Sequence, residues 1–286
     1  MRWPPYQHVF FDCDSTLTTV EGIDMLAQTA GKKWRVEVLT QAAMDGELDL
    51  EDVYAKRLKA VKPTRRQIQN IRRIYKQNIV EDAAAVIQAL QWLGHNIYII
   101  SGGLFEPVVE FGMYLGVPRS NIRAVGVQYN QLTGDWWQQP SSANDNGRYL
   151  TFEEGALTVS DGKGQIVKEM LGRQRGRSVL VGDGTSDLLA SRALDLFVGY
   201  GGVVKRARVY AEAPAFINSP SLAPLLAIAA GPEALLRLQH SPYSSISQKA
   251  NDLVSTGEIT FQNERLKTKF DKAYQAVYTR TNGGSP

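Results

Sequence analysis

His8-Val9-Phe10-Phe11-Asp12-Cys13-Asp14-Ser15-Thr16 runs an apolar stretch straight into a turn that carries two carboxylates. A short run without polar alternation, closed by turn residues, is the pattern of a strand buried on both faces of a parallel sheet. Asn96 to Ile100 and Ser178 to Val181 repeat it, and their turns are Ser101-Gly102-Gly103 and Gly182-Asp183-Gly184. Helical patterns follow at Phe105 to Leu115 and Thr185 to Arg192. Repeated strand–turn–helix units predict an α/β fold with a parallel sheet flanked by helices. Ligands of such sheets bind at the carboxyl ends of the strands, where these turns converge.

Between the first strand and the helical stretch Asp82 to Leu93, residues 22–79 show helical periodicity over a length of roughly sixty residues, too long for a loop. They read as an inserted helical cap whose buried faces are Leu26, Val36, Val38, Leu39, Val53, Leu58 and Ile68. Residues 1–21 and 80–222 form the expected α/β core. A hairpin insertion is expected at about 128–160, with Trp136-Trp137 and a polar tip around Ser141 to Gly147. Residues 223–286 read as a C-terminal helical extension that includes a basic helix at Glu264 to Tyr278 and a frayed end.

With 43% hydrophobic and 21% charged residues the chain has an ordinary globular composition. Its formal charge of +3 is not gathered into long basic runs, which argues against a nucleic-acid partner and for small-molecule chemistry. The single cysteine, Cys13, has no second thiol for a disulfide or a structural zinc site, which fits a reducing compartment. No apolar stretch reaches membrane-spanning length, and Val9-Phe10-Phe11 is too short for a signal peptide. A cytoplasmic protein without a membrane partner is expected.

Asp12 and Asp14 stand two apart, so in a continuing strand they share a face. A nucleophilic carboxylate can form an acyl-phosphate while a second acid protonates the leaving alcohol. Asp and Ser are also ordinary turn residues, so the pair alone leaves both readings open. Asp183 and Asp187 sit where they could reach a hard cation such as magnesium, or could simply cap a helix. Ser101 and Gly102 offer a hydroxyl and backbone N–H groups to a phosphate. Lys163 begins a helix, where a cation opposes the helix dipole and hints at a nearby anion; solvent exposure is the plainer explanation.

Taken in order, Asp-x-Asp-Ser-Thr, Ser-Gly-Gly, Lys-Gly and Gly-Asp-Gly-x-x-Asp make the chain resemble the phosphoserine phosphatase branch of the haloacid dehalogenase superfamily, across about Val9 to Ala229. The resemblance implies a Rossmann-like core with an inserted cap, and a phosphomonoester hydrolase working in serine biosynthesis. It implies that Asp12 is the nucleophile, Asp14 the general acid and then base, and Ser101, Gly102 and Lys163 the phosphate ligands. It further implies a Mg2+ ion held by Asp12, the Asp14 carbonyl and Asp183, with Asp187 and Ser186 in support. Ser186 stands where the family commonly has Asn.

Glu21, nine residues after Asp12, falls where that family meets the substrate ammonium. Arg57 falls where its cap grips the substrate carboxylate, and Ala43 to Asp49 resembles its cap sequence. An anion and a forked guanidinium together read an amino acid, which makes O-phosphoserine the expected substrate. Otherwise Glu21 begins a helix and Arg57 lies on a solvated face. Rival readings are the same chemistry on another small phosphomonoester, such as a sugar phosphate or a methionine-salvage intermediate, transfer to an alcohol acceptor, and a non-catalytic regulatory protein docking through Arg265, Lys267, Lys269 and Lys272. A degenerate member would be expected to lose Asp12, Asp14 or Asp183, and all three are present.

Overall fold

In a computed structural model, residues 3–44, 50–130 and 147–282 are described. Parallel strands β1 (His8–Phe11), β2 (Asn96–Leu104), β3 (Ile122–Val125), β6 (Ser178–Gly182), β7 (Leu196–Tyr200) and β8 (Ala215–Ile217) form one sheet, and antiparallel β9 (Ile259–Phe261) closes its edge. The order is β3-β2-β1-β6-β7-β8-β9, so the chain leaves β1 toward β2 and β3, then returns to build outward from β6. β1 is therefore the switch point of the sheet, where strand ends open a crevice. Its four residues are all buried, which explains the unalternating Val-Phe-Phe run.

Helices α5 (Ala83–Trp92), α6 (Phe105–Tyr114), α7 (Lys163–Leu171), α8 (Thr185–Ala190) and α9 (Ala207–Glu212) alternate with the core strands. β2 is longer than its apolar run implies. It continues through Ser101-Gly102-Gly103 to Leu104, with a register irregularity against β3 after Ile100. The Ser-Gly-Gly segment is thus an irregular strand end rather than a separate turn.

Four helices, α1 (Gly22–Thr29), α2 (Lys33–Met44), α3 (Leu50–Val61) and α4 (Arg65–Gln77), are inserted after β1. Leu26, Val36, Val53, Leu58 and Ile68 are buried as their periodicity predicts, and Leu39 is half-buried. Val38 is not: it is 64% exposed, beside exposed Trp34, because Val36 and Thr40 take the inward face of α2 and Val38 is turned about 200° from Val36. α4 starts at a capping box between Thr64 and Gln67 and buries Ile68, Ile71 and Tyr75 at helical spacing. Its outer face is tied to α6 by Arg72–Glu110 at 2.7 Å and Arg65–Glu106 at 3.1 Å.

β4 (Val127–Asn130) and β5 (Arg148–Phe152) pair as an antiparallel hairpin. Trp136, Trp137 and the polar tip lie outside the described residues, as do residues 45–49 of the segment that resembles the family's cap. Beyond β8, α10 (Pro224–Ala229), α11 (Pro232–Gln239), α12 (Ser244–Ser255) and α13 (Glu264–Asn282) continue the chain. The C-terminal part is not purely helical, because β9 joins the sheet through Ile217–Ile259 and Ala215–Phe261 pairing. Three residues are too few to show a period of two, and the pairing partner supplies the order. Among the described residues no helix is long and apolar enough to cross a membrane.

Phe270 of α13 is 3% exposed and meets Trp3 edge-on at 5.1 Å and Phe261 at 5.1 Å, so it joins the N-terminal segment, β9 and α13. Phe270→Ala is expected to destabilise the protein by about 3–5 kcal/mol, read from the shift in urea midpoint, with the secondary structure of the folded protein unchanged by circular dichroism.

Candidate active site

Asp12 follows β1 directly, and its N–H donates to the Val181 carbonyl at 3.0 Å, which fixes the backbone between β1 and β6. The chain then wraps around one carbonyl: the N–H groups of Thr16, Leu17 and Thr18 all donate to Cys13 O. Ser15 adopts φ 55°, a left-handed conformation uncommon for a residue with a Cβ. In this turn the Ser15 hydroxyl donates to Glu21 Oε1 at 2.8 Å, so the strand-end motif holds Glu21 in place.

Asp12, Asp183 and Asp187 bring carboxylate oxygens within 4.8 Å of one another, all buried. Lys163 Nζ donates to Asp12 Oδ1 at 2.7 Å and to Asp187 Oδ1 at 2.6 Å, and Lys163 is only 5% exposed. Its position at a helix start is therefore explained by buried anions, and solvent exposure is excluded. Asp187 sits at the third residue of α8 and also accepts from the Gly184 N–H at 3.1 Å. Gly182 makes this possible, since a Cβ there would lie 2.4 Å from Asp187 Cγ. Gly162, just before Lys163, packs tightly on backbone, since a Cβ there would lie 1.7 Å from the Ala156 carbonyl oxygen.

Arg206, in the segment before α9, is the cation that sequence reasoning missed. It is 6% exposed, with Nε 2.9 Å from Asp183 Oδ2 and Nη2 3.8 Å from Glu21 Oε1. The Lys205-Arg206 pair is visible in the sequence, but no local pattern ties it to residues so far upstream. Thr16 completes the Asp183 environment, its hydroxyl 3.4 Å from Oδ1.

The inserted helices close over this cluster. Tyr75 of α4 donates to Asp14 Oδ1 at 2.5 Å, and Tyr54 of α3 donates to the Gly102 carbonyl at 2.9 Å. Arg57 is 4% exposed rather than solvated; its Nη1 donates to Thr40 Oγ1 at 3.2 Å, and Thr40 donates to Asp24 Oδ1 at 3.1 Å. The Arg57 Nε is buried without a partner. Asp12, Asp14, Glu21, Arg57, Ser101, Gly102, Lys163, Ser186 and Asp187 line one small cavity. Ser101 is 1% exposed and its hydroxyl accepts from the Gly103 N–H at 2.9 Å. A wider cleft, of about 520 Å³, lies between Trp3, His95, Arg237 and Ala273, and none of the clustered carboxylates reaches it.

Crowding and burial set the charges. Burial pushes Asp14 up to about 7, against the pull of the Tyr75 hydroxyl. Glu21 rises to about 8 through burial and the nearby Asp14 charge, with Ser15 and Arg206 opposing. Burial likewise lifts Asp183 and Asp187 to about 7, countered by Arg206 at the first and Lys163 at the second. A hard cation among these oxygens would relieve the repulsion, and the all-oxygen donor set of Asp12, Asp183 and Asp187 suits one. Asp187, expected only in support, offers its oxygen in the same cluster, whereas the Asp14 carboxyl is turned to Tyr75.

Comparison with known proteins supplies the family. The family model for haloacid dehalogenase-like hydrolases matches residues 9–192. The phosphoserine phosphatase of Mus musculus is 30% identical over 212 residues, 73% of this chain and 88% of that protein. The chloroplastic phosphoserine phosphatase of Arabidopsis thaliana is 32% identical over 215 residues, 74% of this chain and 68% of that protein. Among solved structures, a phosphoserine phosphohydrolase-like protein from Francisella tularensis superposes with a TM-score of 0.63 at 24% identity, covering 74% of this chain and 95% of that one, which is a likeness of fold. The matched span takes in the β1 turn, the Ser-Gly-Gly strand end, Lys163 and the Asp183 loop, and the chain belongs to the haloacid dehalogenase-like hydrolase family.

Proposed function

We propose that the chain is a magnesium-dependent phosphatase that hydrolyses O-phosphoserine to serine and phosphate through a phosphorylated Asp12. The observation that carries the substrate reading is Arg57, buried in the insertion with an unpaired Nε and lining the same cavity as Asp12 and Asp14. A buried guanidinium with a missing acceptor is poised for an anion, and a carboxylate matches its fork. Glu21 stands in that cavity to meet the ammonium group of the same substrate. The phosphoserine phosphatases named above make this amino acid ester the first choice.

In this reading Asp12 attacks phosphorus in line while Ser101, the Gly102 backbone and Lys163 hold the phosphoryl oxygens. Asp14, which burial leaves able to carry a proton near neutral pH, gives it to the departing serine oxygen. It then takes a proton from the water that attacks the aspartyl-phosphate, and Asp12 is freed. Asp12, the Asp14 carbonyl and Asp183 would hold Mg2+, with Asp187 and Ser186 in support; the ion supplies charge stabilisation for the transferring phosphoryl group. Lys163 holds Asp12 in place before substrate arrives, since its ammonium bridges Asp12 and Asp187. The inserted helices act as a cap that excludes bulk water while Asp12 is phosphorylated. A cytoplasmic location accompanies this reading.

Phosphate release from a panel of phosphomonoesters tests the assignment. O-phospho-L-serine is expected to lead the panel, to require Mg2+, and to lose at least about a thousandfold in kcat in Asp12→Asn. Activity confined to other esters would retain the Asp12 chemistry and overturn the substrate. Arg57→Ala is expected to lower kcat/KM for phosphoserine about 10- to 100-fold, mainly through KM. It should leave phosphoethanolamine, which lacks the carboxylate, nearly unchanged. Mg2+ is further expected to raise the melting temperature of the wild type but not of Asp183→Asn, as measured by thermal unfolding.

A further inference from the structure

The acid in a phosphomonoesterase must present its proton to one oxygen, yet a carboxyl has two. Here the two oxygens of Asp14 have different neighbours. Oδ1 accepts from the Tyr75 hydroxyl at 2.5 Å, in a contact between residues 61 apart in the chain. Oδ2 lies on the Gly103 side, close enough that a Cβ on Gly103 would come within 3.2 Å of it. Gly103 borders the cavity that Asp12, Ser101 and Lys163 share. The Gly22 N–H supplies a further hydrogen bond to Asp14.

Tyr75 is held firmly enough to direct this choice. It is fully buried at the inner face of α4, with its ring 5.4 Å from that of Phe111 on α6. Its hydroxyl needs the absence of a side chain at residue 22, where a Cβ would stand 2.3 Å from the phenol oxygen. Gly22 starts the insertion and Tyr75 lies in its last helical turn, so both ends of the insertion converge on one carboxyl.

We propose that Tyr75 is a positioning residue for proton transfer: by donating to Oδ1 it fixes the Asp14 proton on Oδ2, the oxygen on the cavity side. This rests on the phosphatase reading given above. As the ester O–P bond breaks, the Oδ2 proton passes to the departing alcohol oxygen and Tyr75 keeps its own. In the second half-reaction Oδ2 takes a proton from the attacking water, and the P–O bond to Asp12 breaks. Tyr75 touches neither substrate nor phosphorus and acts only through Asp14.

Leaving-group dependence separates this role from simple structural support. An alkyl phosphate releases a strongly basic alkoxide and needs the acid, whereas 4-nitrophenyl phosphate releases a stabilised phenolate and does not. Single-turnover alcohol release is measured with excess enzyme for Tyr75→Phe, using 4-nitrophenyl phosphate and whichever alkyl phosphate the wild type cleaves fastest. The expected result is a loss of about 10- to 100-fold for the alkyl ester and less than about twofold for the aryl ester. Gly22→Ala, which displaces the hydroxyl without deleting it, should reproduce the same selectivity and stands in if Tyr75→Phe does not fold. Equal losses on both esters, or none on either, in an active protein overturn the role of Tyr75 alone. A wild type inactive on both esters overturns the phosphatase reading and this inference with it.

Discussion

The structure depends on keeping several carboxylates together in a buried crevice. Asp12 and Asp183 follow the adjacent strands β1 and β6 and Asp187 sits in the first turn of α8, and without compensation their charges would drive these elements apart. Lys163 bridges two of them and Arg206 neutralises the third, each cation itself buried. Breaking such an arrangement by removing one partner leaves an uncompensated buried charge, which costs far more than a surface pair gains. The two cations therefore belong to the packing of the crevice as much as the carboxylates do.

The insertion adds what the sheet cannot. Strand ends bring Asp12, Asp14 and the Ser101-Gly102 segment to one cavity. α3 and α4 cover it: Tyr54 donates to the Gly102 carbonyl, Tyr75 donates to the Asp14 carboxyl, and Arg57 lines the cavity with its Nε buried and without a partner. Ion pairs between α4 and α6 run along the outer side of the same closure. These pairs are partly exposed, so each contributes little to stability.

Much of the core of this arrangement could be read in the sequence because the informative residues are local to strand ends. Asp12 and Asp14 share a turn, Gly182 to Asp187 encodes a strand, a loop and a helix start, and the apolar runs before them announce buried strands. Gly182 clears room for the Asp187 carboxylate, a role that emerges only when strand end and helix are packed together. What escaped notice acts over long separations. Arg206 reaches Asp183 from 23 residues away, Tyr54 reaches Gly102 from 48 and Tyr75 reaches Asp14 from 61. Tyr75 in particular looks like one more apolar residue in the Ile68, Ile71, Tyr75 stripe, and only the packed structure reveals its hydroxyl pointing at a carboxylate. Val38 departs for a local reason: two residues on from Val36 it lies about 200° round the helix, so the two cannot both face inward.

The central claim is that Asp12 becomes phosphorylated, and direct trapping of that bond tests it. Enzyme quenched in acid during turnover is reduced with borohydride, which converts an aspartyl-phosphate to homoserine, and the peptide containing residues 8–16 is sequenced by mass spectrometry. Homoserine at position 12, absent when substrate is omitted, is the predicted result. Phosphate release during turnover with residue 12 recovered as unmodified aspartate, or with the reduced residue at another position, would contradict the account.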